Sequence, residues 1–159
     1  MPTCSVADLP ECLPKGTRLL GLDLGDKTIG LAISDPGLSI ASPIETIRRG
    51  KFTRDAEALI AIIESRGVGG LVLGLPVNMD GSEGPRCQST RQFAANLLQK
   101  IDLPIAFWDE RLSTAAVQRL LTDEADMTRK RRGAVVDKMA AAYILQGALD
   151  ALPRSRGNG

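Results

Sequence analysis

Leu19-Leu20-Gly21-Leu22-Asp23-Leu24-Gly25-Asp26-Lys27-Thr28-Ile29-Gly30-Leu31-Ala32-Ile33-Ser34 is two apolar runs of strand length separated by a short polar turn. Apolar runs bounded by turn residues form strands. Residues 19–23 are therefore expected as a buried strand, 25–28 as a turn, and 29–34 as a second strand paired back on the first. Asp23 then ends a buried strand, between glycines that let a ligand approach the backbone.

Outward from this hairpin, Pro36-Gly37 marks a further turn and residues 42–47 a third strand. The period then changes: Ala56, Leu59, Ile60 and Ile63 recur at helical spacing over residues 52–66. Residues 70–75 are wholly apolar and stop at Pro76, the pattern of a strand buried on both faces. A loop at 80–85 precedes a helix carrying Phe93, Ala94, Leu97, Leu98 and Ile101, and residues 105–109 form the last strand. Ser113 is placed to cap a helix with Val117, Leu120 and Leu121 on its apolar side. The basic loop 128–133 leads into a final helix from about Ala134 to Leu152. The later strands are linked by crossovers, which favour parallel pairing. The expected fold is α/β: a mixed five-stranded sheet, an antiparallel three-strand meander plus two parallel strands, flanked by helices.

The 159 residues, 43% of them hydrophobic, suffice for one core. The expected organisation is a loose N-terminal segment at 1–17, a single domain at 18–152 and a loose tail at 153–159. No apolar run approaches the length of a membrane span, and residues 1–16 lack the order of a secretory signal. Cys4, Cys12 and Cys87 make neither an even disulfide set nor a close metal-binding pair. Both observations point to the cytoplasm.

The chain contains no histidine, which excludes Ser-His-Asp and Cys-His nucleophiles, histidine bases and histidine-bound zinc together. Chemistry must rest on carboxylates, lysine or hydroxyls. The net charge of +1 rules out polyanion binding through bulk charge, so phosphate contacts require local patches.

Three acidic positions stand out. Asp23 lies beyond the carboxyl end of a strand, where open α/β sheets collect ligands. Asp109 and Glu110 end the last strand, and strand alternation turns them to opposite faces, so one of the two shares a face with Asp23. Asp137 begins the series Asp137, Ala140, Ala141, Ile144, Leu145 and Ala148, the apolar face of the final helix. A buried carboxylate there calls for a cation, a metal or strong hydrogen bonds. Three such acids can hold two Mg²⁺ or Mn²⁺ ions, since hard cations take oxygen ligands and no histidine is required. Arg129, Lys130, Arg131 and Arg132 place four cations shortly before Asp137, suited to guiding a phosphate backbone. The five aromatic residues are too few for a single-strand stacking platform.

Four segments resemble the YqgF family, also called RuvX, described as Holliday-junction resolvases and as nucleases that mature the 5′ end of 16S ribosomal RNA precursors. They are Gly21-Leu22-Asp23-Leu24-Gly25-Asp26-Lys27-Thr28-Ile29-Gly30-Leu31-Ala32 with Ser34-Asp35; Gly74-Leu75-Pro76 through Asn78-Met79-Asp80-Gly81-Ser82-Glu83-Gly84-Pro85; Asp109-Glu110-Arg111-Leu112-Ser113; and Asp137-Lys138-Met139-Ala140-Ala141 with Ile144-Leu145-Gln146. The resemblance implies an RNase H-like fold and Asp23, Glu110 and Asp137 as catalytic, metal-binding acids. It adds Lys27, Arg91 and Arg111 to the basic run as positions for nucleic-acid contact. Thr28 stands where the family often has arginine, and Ser82 and Ser113 where threonine is common.

The resemblance implies a metal-dependent nuclease acting on structured nucleic acid, with pre-16S rRNA as substrate and a DNA junction as the alternative. No dimer stripe stands out, so a monomer or weak homodimer is expected. Two other classes compete. An actin-like ATPase shares an Asp-x-Gly before a hairpin, but clasps nucleotide between two such domains. A binding module without turnover would be expected to lack one of the acids.

Overall fold

The computed structural model describes residues 3–14, 16–25, 27–78, 80–110 and 129–152, and only the backbone of residues 3, 4 and 129–138. In chain order the elements are β1 (Thr3–Cys4), a 3-10 turn (Val6–Asp8), α1 (Leu9–Cys12), β2 (Arg18–Leu24), β3 (Thr28–Ser34) and β4 (Ala41–Arg48). There follow α2 (Phe52–Arg66), β5 (Val68–Leu75), α3 (Pro85–Leu98), β6 (Ile105–Asp109) and α4 (Arg129–Ala151). The helix expected after Ser113 lies outside the described residues, as do Arg111 and the tail 153–159.

The sheet has the order β1-β6-β5-β2-β3-β4. β2, β3 and β4 form the antiparallel meander, and β5 and β6 run parallel to β2. The five expected strands are present, and the N-terminal segment adds a sixth, with Thr3 and Cys4 pairing in parallel with Ile105 and Ala106. Residues 3–14 are thus built into the fold rather than loose. Val6, Leu9 and Leu13 follow a helical spacing too brief to register beside three prolines, yet Leu9 is completely buried.

β5 is buried along its whole length, as an all-apolar strand between two parallel neighbours must be. α2 stops at Gly67, whose left-handed conformation (φ 66°) returns its N–H to the Ile63 carbonyl. Alternation divides each strand between two cores. Leu20 and Leu22 of β2, Leu71 and Leu73 of β5 and Ile105 of β6 pack with Leu59 and Ile63 of α2 and Phe93, Ala94 and Leu97 of α3. Leu19, Ala32, Val72 and Ala106 face α4 through Ala141, Ile144, Leu145, Ala148 and Leu149.

The described part of α4 starts at Arg129, so the backbone of the basic run 129–132 is helical and not a loop. Position 137 is consequently well inside the helix and not at its first turn. The helix lies unusually close to the sheet: a Cβ on Gly21 would stand 2.8 Å from Leu145 Cβ and 3.2 Å from the Ala141 carbonyl oxygen. At the sheet's edge, Gln146 accepts from the Ala41 N–H at 2.9 Å and donates to the Ser39 carbonyl at 2.9 Å, fixing the start of β4. No described helix is long and apolar enough to cross a membrane.

Candidate active site

Parity along the strands decides which acids share a face. In β2 the residues facing α4 are Leu19 and Gly21, and Asp23 continues that series. In β6, Ile105 and Phe107 pack on the opposite core, so Asp109 follows them away from α4. Glu110 comes next. Its N–H donates to the Leu75 carbonyl at 3.1 Å, which prolongs the β5–β6 ladder by one residue.

The Glu110 side chain lies over Gly74, where an added Cβ would stand 3.0 Å from Glu110 Cγ, 3.1 Å from Oε2 and 2.5 Å from Ile144 Cδ1. β5 therefore passes between the two acid-bearing strands, and Gly74 places no side chain between them. The strands on either side of β5 are about 10 Å apart. Asp23 and Glu110, on these two strands and on one face by strand parity, flank the position of Gly74.

α4 brings the third position to the same end. Gln146 is level with Ala41, which pairs with Ser34, whereas Gly21 faces the turn from Ala141 to Leu145, so the helix runs antiparallel to β2. From Ala141 back to residue 137 is four residues, about 6 Å of helix. From Gly21 to Asp23 is two residues, about 6.6 Å of strand. The backbone at 137 therefore lies towards the end of the sheet that carries Asp23, although the Asp137 side chain is outside those described. Among the described residues no set of three acidic, cysteine or histidine ligands is complete.

Burial pushes the Glu110 carboxyl above its ordinary pKa, opposed by the nearby Arg86 guanidinium and reinforced by the Asp109 charge. A cation beside it would relieve that desolvation, and the oxygen donors suit a hard divalent ion. The native state then holds the Glu110 proton to a higher pH than the unfolded chain does. Stability from this group is greatest below the ordinary carboxylate pKa and falls as pH rises through the raised one. Glu110→Gln is therefore expected to stabilise the metal-free protein at neutral pH and to remove this decline. Urea melts of parent and variant across pH 4 to 8, in chelator, measure both effects.

The remaining positions separate into distinct jobs. Lys27 is exposed in the β2–β3 turn. Arg91 is engaged within the protein: it forms a two-point ion pair with Glu83 at 2.8 Å and lies 4.9 Å from the Phe107 ring centroid. This pairing holds the Glu83 carboxyl below the usual range. The loop after β5 is tied internally. Asp80 accepts from the Ser82 N–H at 2.9 Å and hydroxyl at 2.6 Å, and Asn78 donates to Ser82 Oγ at 3.0 Å. Ser34 likewise serves the fold, accepting the Leu19 N–H at 2.9 Å and donating to the Asp35 carbonyl. Arg86 was not singled out by the sequence. Its signal was a cation in the first turn of the helix that follows β5, at the carboxyl end of the parallel strands.

Comparison with known proteins agrees with this fold. The RuvX family model, described as Holliday junction resolvase, matches residues 17–151. A Rhodospirillum rubrum protein provisionally named pre-16S rRNA nuclease is 64% identical over 156 residues, 98% of this chain and 97% of that one. One from Paramagnetospirillum magneticum, with the same name, is 67% identical over 150 residues, 94% and 96% of the two chains. Among solved structures, T. thermophilus RuvC in complex with a Holliday junction substrate superposes with TM-score 0.53 at 12% identity, covering 85% of this chain and 94% of that one, which shows a shared RNase H-like fold. With nearly its whole length matched by one family model and by relatives of such identity, this chain belongs to the RuvX family.

Proposed function

We propose that this chain is a divalent-metal-dependent nuclease that hydrolyses phosphodiester bonds in structured nucleic acid, with the 5′ region of the 16S rRNA precursor as its cytoplasmic substrate. The observation that carries the reading is the pair Asp23 and Glu110, turned to one face on either side of Gly74. The names of the relatives support the substrate.

Asp23, Glu110 and Asp137 would hold Mg²⁺ or Mn²⁺, two ions when fully loaded. When bound, such ions polarise the scissile phosphate and lower the pKa of water, without any protein base. The chain contributes the rest. Its carboxylates fix the coordinating oxygens on rigid strand ends, Gly74 leaves room for a phosphate between them, and Arg86 supplies a positive charge beside Glu110. The basic run 129–132, about 8 to 12 Å beyond residue 137 along the helix, extends the electrostatic track for a nucleic-acid backbone. Arg111, which follows Glu110, is assigned to the same track.

The test offers the full-length protein a 5′-extended 16S precursor fragment and a synthetic four-way DNA junction, in Mg²⁺ and in chelator. Cleavage of the RNA with the higher kcat/KM, abolished by chelator, is the expected result. Preferential cutting of the junction, which the family description favours, would move the substrate to branched DNA. Failure to cut either would remove the nuclease reading.

A further inference from the structure

A second concentration of positive charge lies at the corner where β4 passes into α2. Sheet pairing sets Arg48 opposite Thr28, and the Arg49 N–H donates to the Lys27 carbonyl at 2.8 Å. The Arg49 side chain reaches across to donate from Nη1 to the Gly25 carbonyl at 2.6 Å and lies 5.7 Å from the Phe93 ring centroid. Lys51 caps α2, and the Arg54 guanidinium lies across Gly50. Five cations thus share the β2–β3 turn, the end of β4 and the first turn of α2.

Little within the fold compensates this charge. Asp55, 3% exposed, takes the Gly50 N–H on both oxygens at 3.1 and 3.2 Å and is committed to closing the start of α2. Lys27, Arg48, Lys51 and Arg54 make no side-chain hydrogen bond or ion pair among the described residues, and Asp26 lies outside them. Two separate effects oppose the arrangement: the cations repel one another, and Lys51 and Arg54 stand at a helix N-terminus, the end that prefers negative charge. Both become favourable when an anion occupies the corner.

The corner also has a fixed relation to the acids. Arg49 is bonded to Gly25, two residues beyond Asp23, and β4 is two strands from β2, about 10 Å across the sheet. α2 with Lys51 and Arg54 packs on the face opposite α4, so the path from the corner to the acids runs around the strand ends. The lateral spacing alone corresponds to about three base pairs along a duplex. The local aromatic rings are occupied inside the protein, Phe52 edge-on to Phe93 at 5.3 Å and Phe93 beneath Arg49, so none is offered for stacking on unpaired bases.

We infer that Lys27, Arg48, Lys51 and Arg54, braced by Arg49, bind the phosphate backbone of a duplex arm at least about three base pairs from the bond that is cut. The inference rests on the nuclease reading for the position of that bond, and makes an adjacent duplex part of what the enzyme recognises.

The test measures binding in an Asp23→Asn background, with and without Arg48→Gln/Lys51→Gln/Arg54→Gln, as a function of salt. One ligand is a hairpin with a single-stranded extension and the other the extension alone. Each lost phosphate contact removes roughly 0.9 from the slope of log K against log salt. Loss of all three lowers the slope for the hairpin by about 2.7, and weakens binding at 0.1 M salt by about 10²-fold. Binding of the extension alone changes far less. Arg48→Lys/Arg54→Lys, which keeps the charge, keeps the slope. Equal slopes for parent and triple variant on the hairpin, or equal losses on both ligands, would overturn the inference. A protein that shows the slope difference yet cuts nothing would keep the corner and discard the nuclease reading.

Discussion

Asp23→Asn is expected to reduce cleavage by on the order of 10²- to 10³-fold at saturating Mg²⁺ while leaving the fold intact. The substitution keeps size and hydrogen-bonding capacity but removes one negative charge from a hard-oxygen donor set. Divalent ions contribute several kcal/mol of charge stabilisation in phosphoryl chemistry, and each ~1.4 kcal/mol is tenfold in rate. Glu110→Gln should give a loss of the same order. Asp109→Asn is the informative contrast: the strand turns Asp109 towards the Phe107 side of the sheet, so its activity should stay within a few-fold of the parent. Single-turnover cleavage of the three variants side by side measures this. If Asp109→Asn were as damaging as Glu110→Gln, the assignment of faces would be wrong.

The largest effect on the fold is expected from Gly21→Val. The atoms met by a side chain there are Leu145 Cβ and the Ala141 carbonyl, neither of which is the free end of a flexible group. α4 must therefore lift off the sheet. Overpacking of this kind costs about 1–3 kcal/mol and occasionally more, against a total stability of roughly 5–15 kcal/mol. The same displacement moves the backbone at 137 away from Asp23, so activity should fall together with the denaturation midpoint. Gly74→Ala makes the useful comparison. It meets Ile144 Cδ1 and the Glu110 side chain, which yield more easily. Its melting midpoint should fall less than that of Gly21→Val, whereas catalysis should suffer because Glu110 is pushed aside. Urea melts and cleavage rates on the two variants separate the positions.

These contrasts show what the sequence made legible. The hairpin at 19–34, the apolar run before Pro76 and the helical spacing of 52–66 predicted the sheet and its meander, because burial patterns at periods of about two and 3.6 are strong local signals. The choice between Asp109 and Glu110 was not local. It required knowing which parity of β6 meets α4, and that is set by packing between residues far apart in the chain. Arg129 to Arg132 read as a solvated loop because four cations give no apolar period, yet their backbone continues the helix built on Ala141 and Leu145. Arg91 entered only through the resemblance, and its partner Glu83 stands eight residues earlier in a loop, a pairing that neither helical nor strand spacing announces. The N-terminal segment was misjudged for a related reason: β1 is held by residues 105 and 106, about a hundred positions away.

The position of α4 at the end of the chain also orders events during synthesis. A nascent chain that has completed β6 already carries Asp23, but the apolar strip of Leu19, Ala32, Val72 and Ala106 still lacks the cover that, among the described residues, α4 supplies from Ala141 onwards. Folding proceeds as the chain emerges, and such uncovered strips are where aggregation starts. The last acid and the cover over that strip arrive on a single helix. A truncated product therefore leaves the strip open and lacks the residue proposed as the third metal ligand.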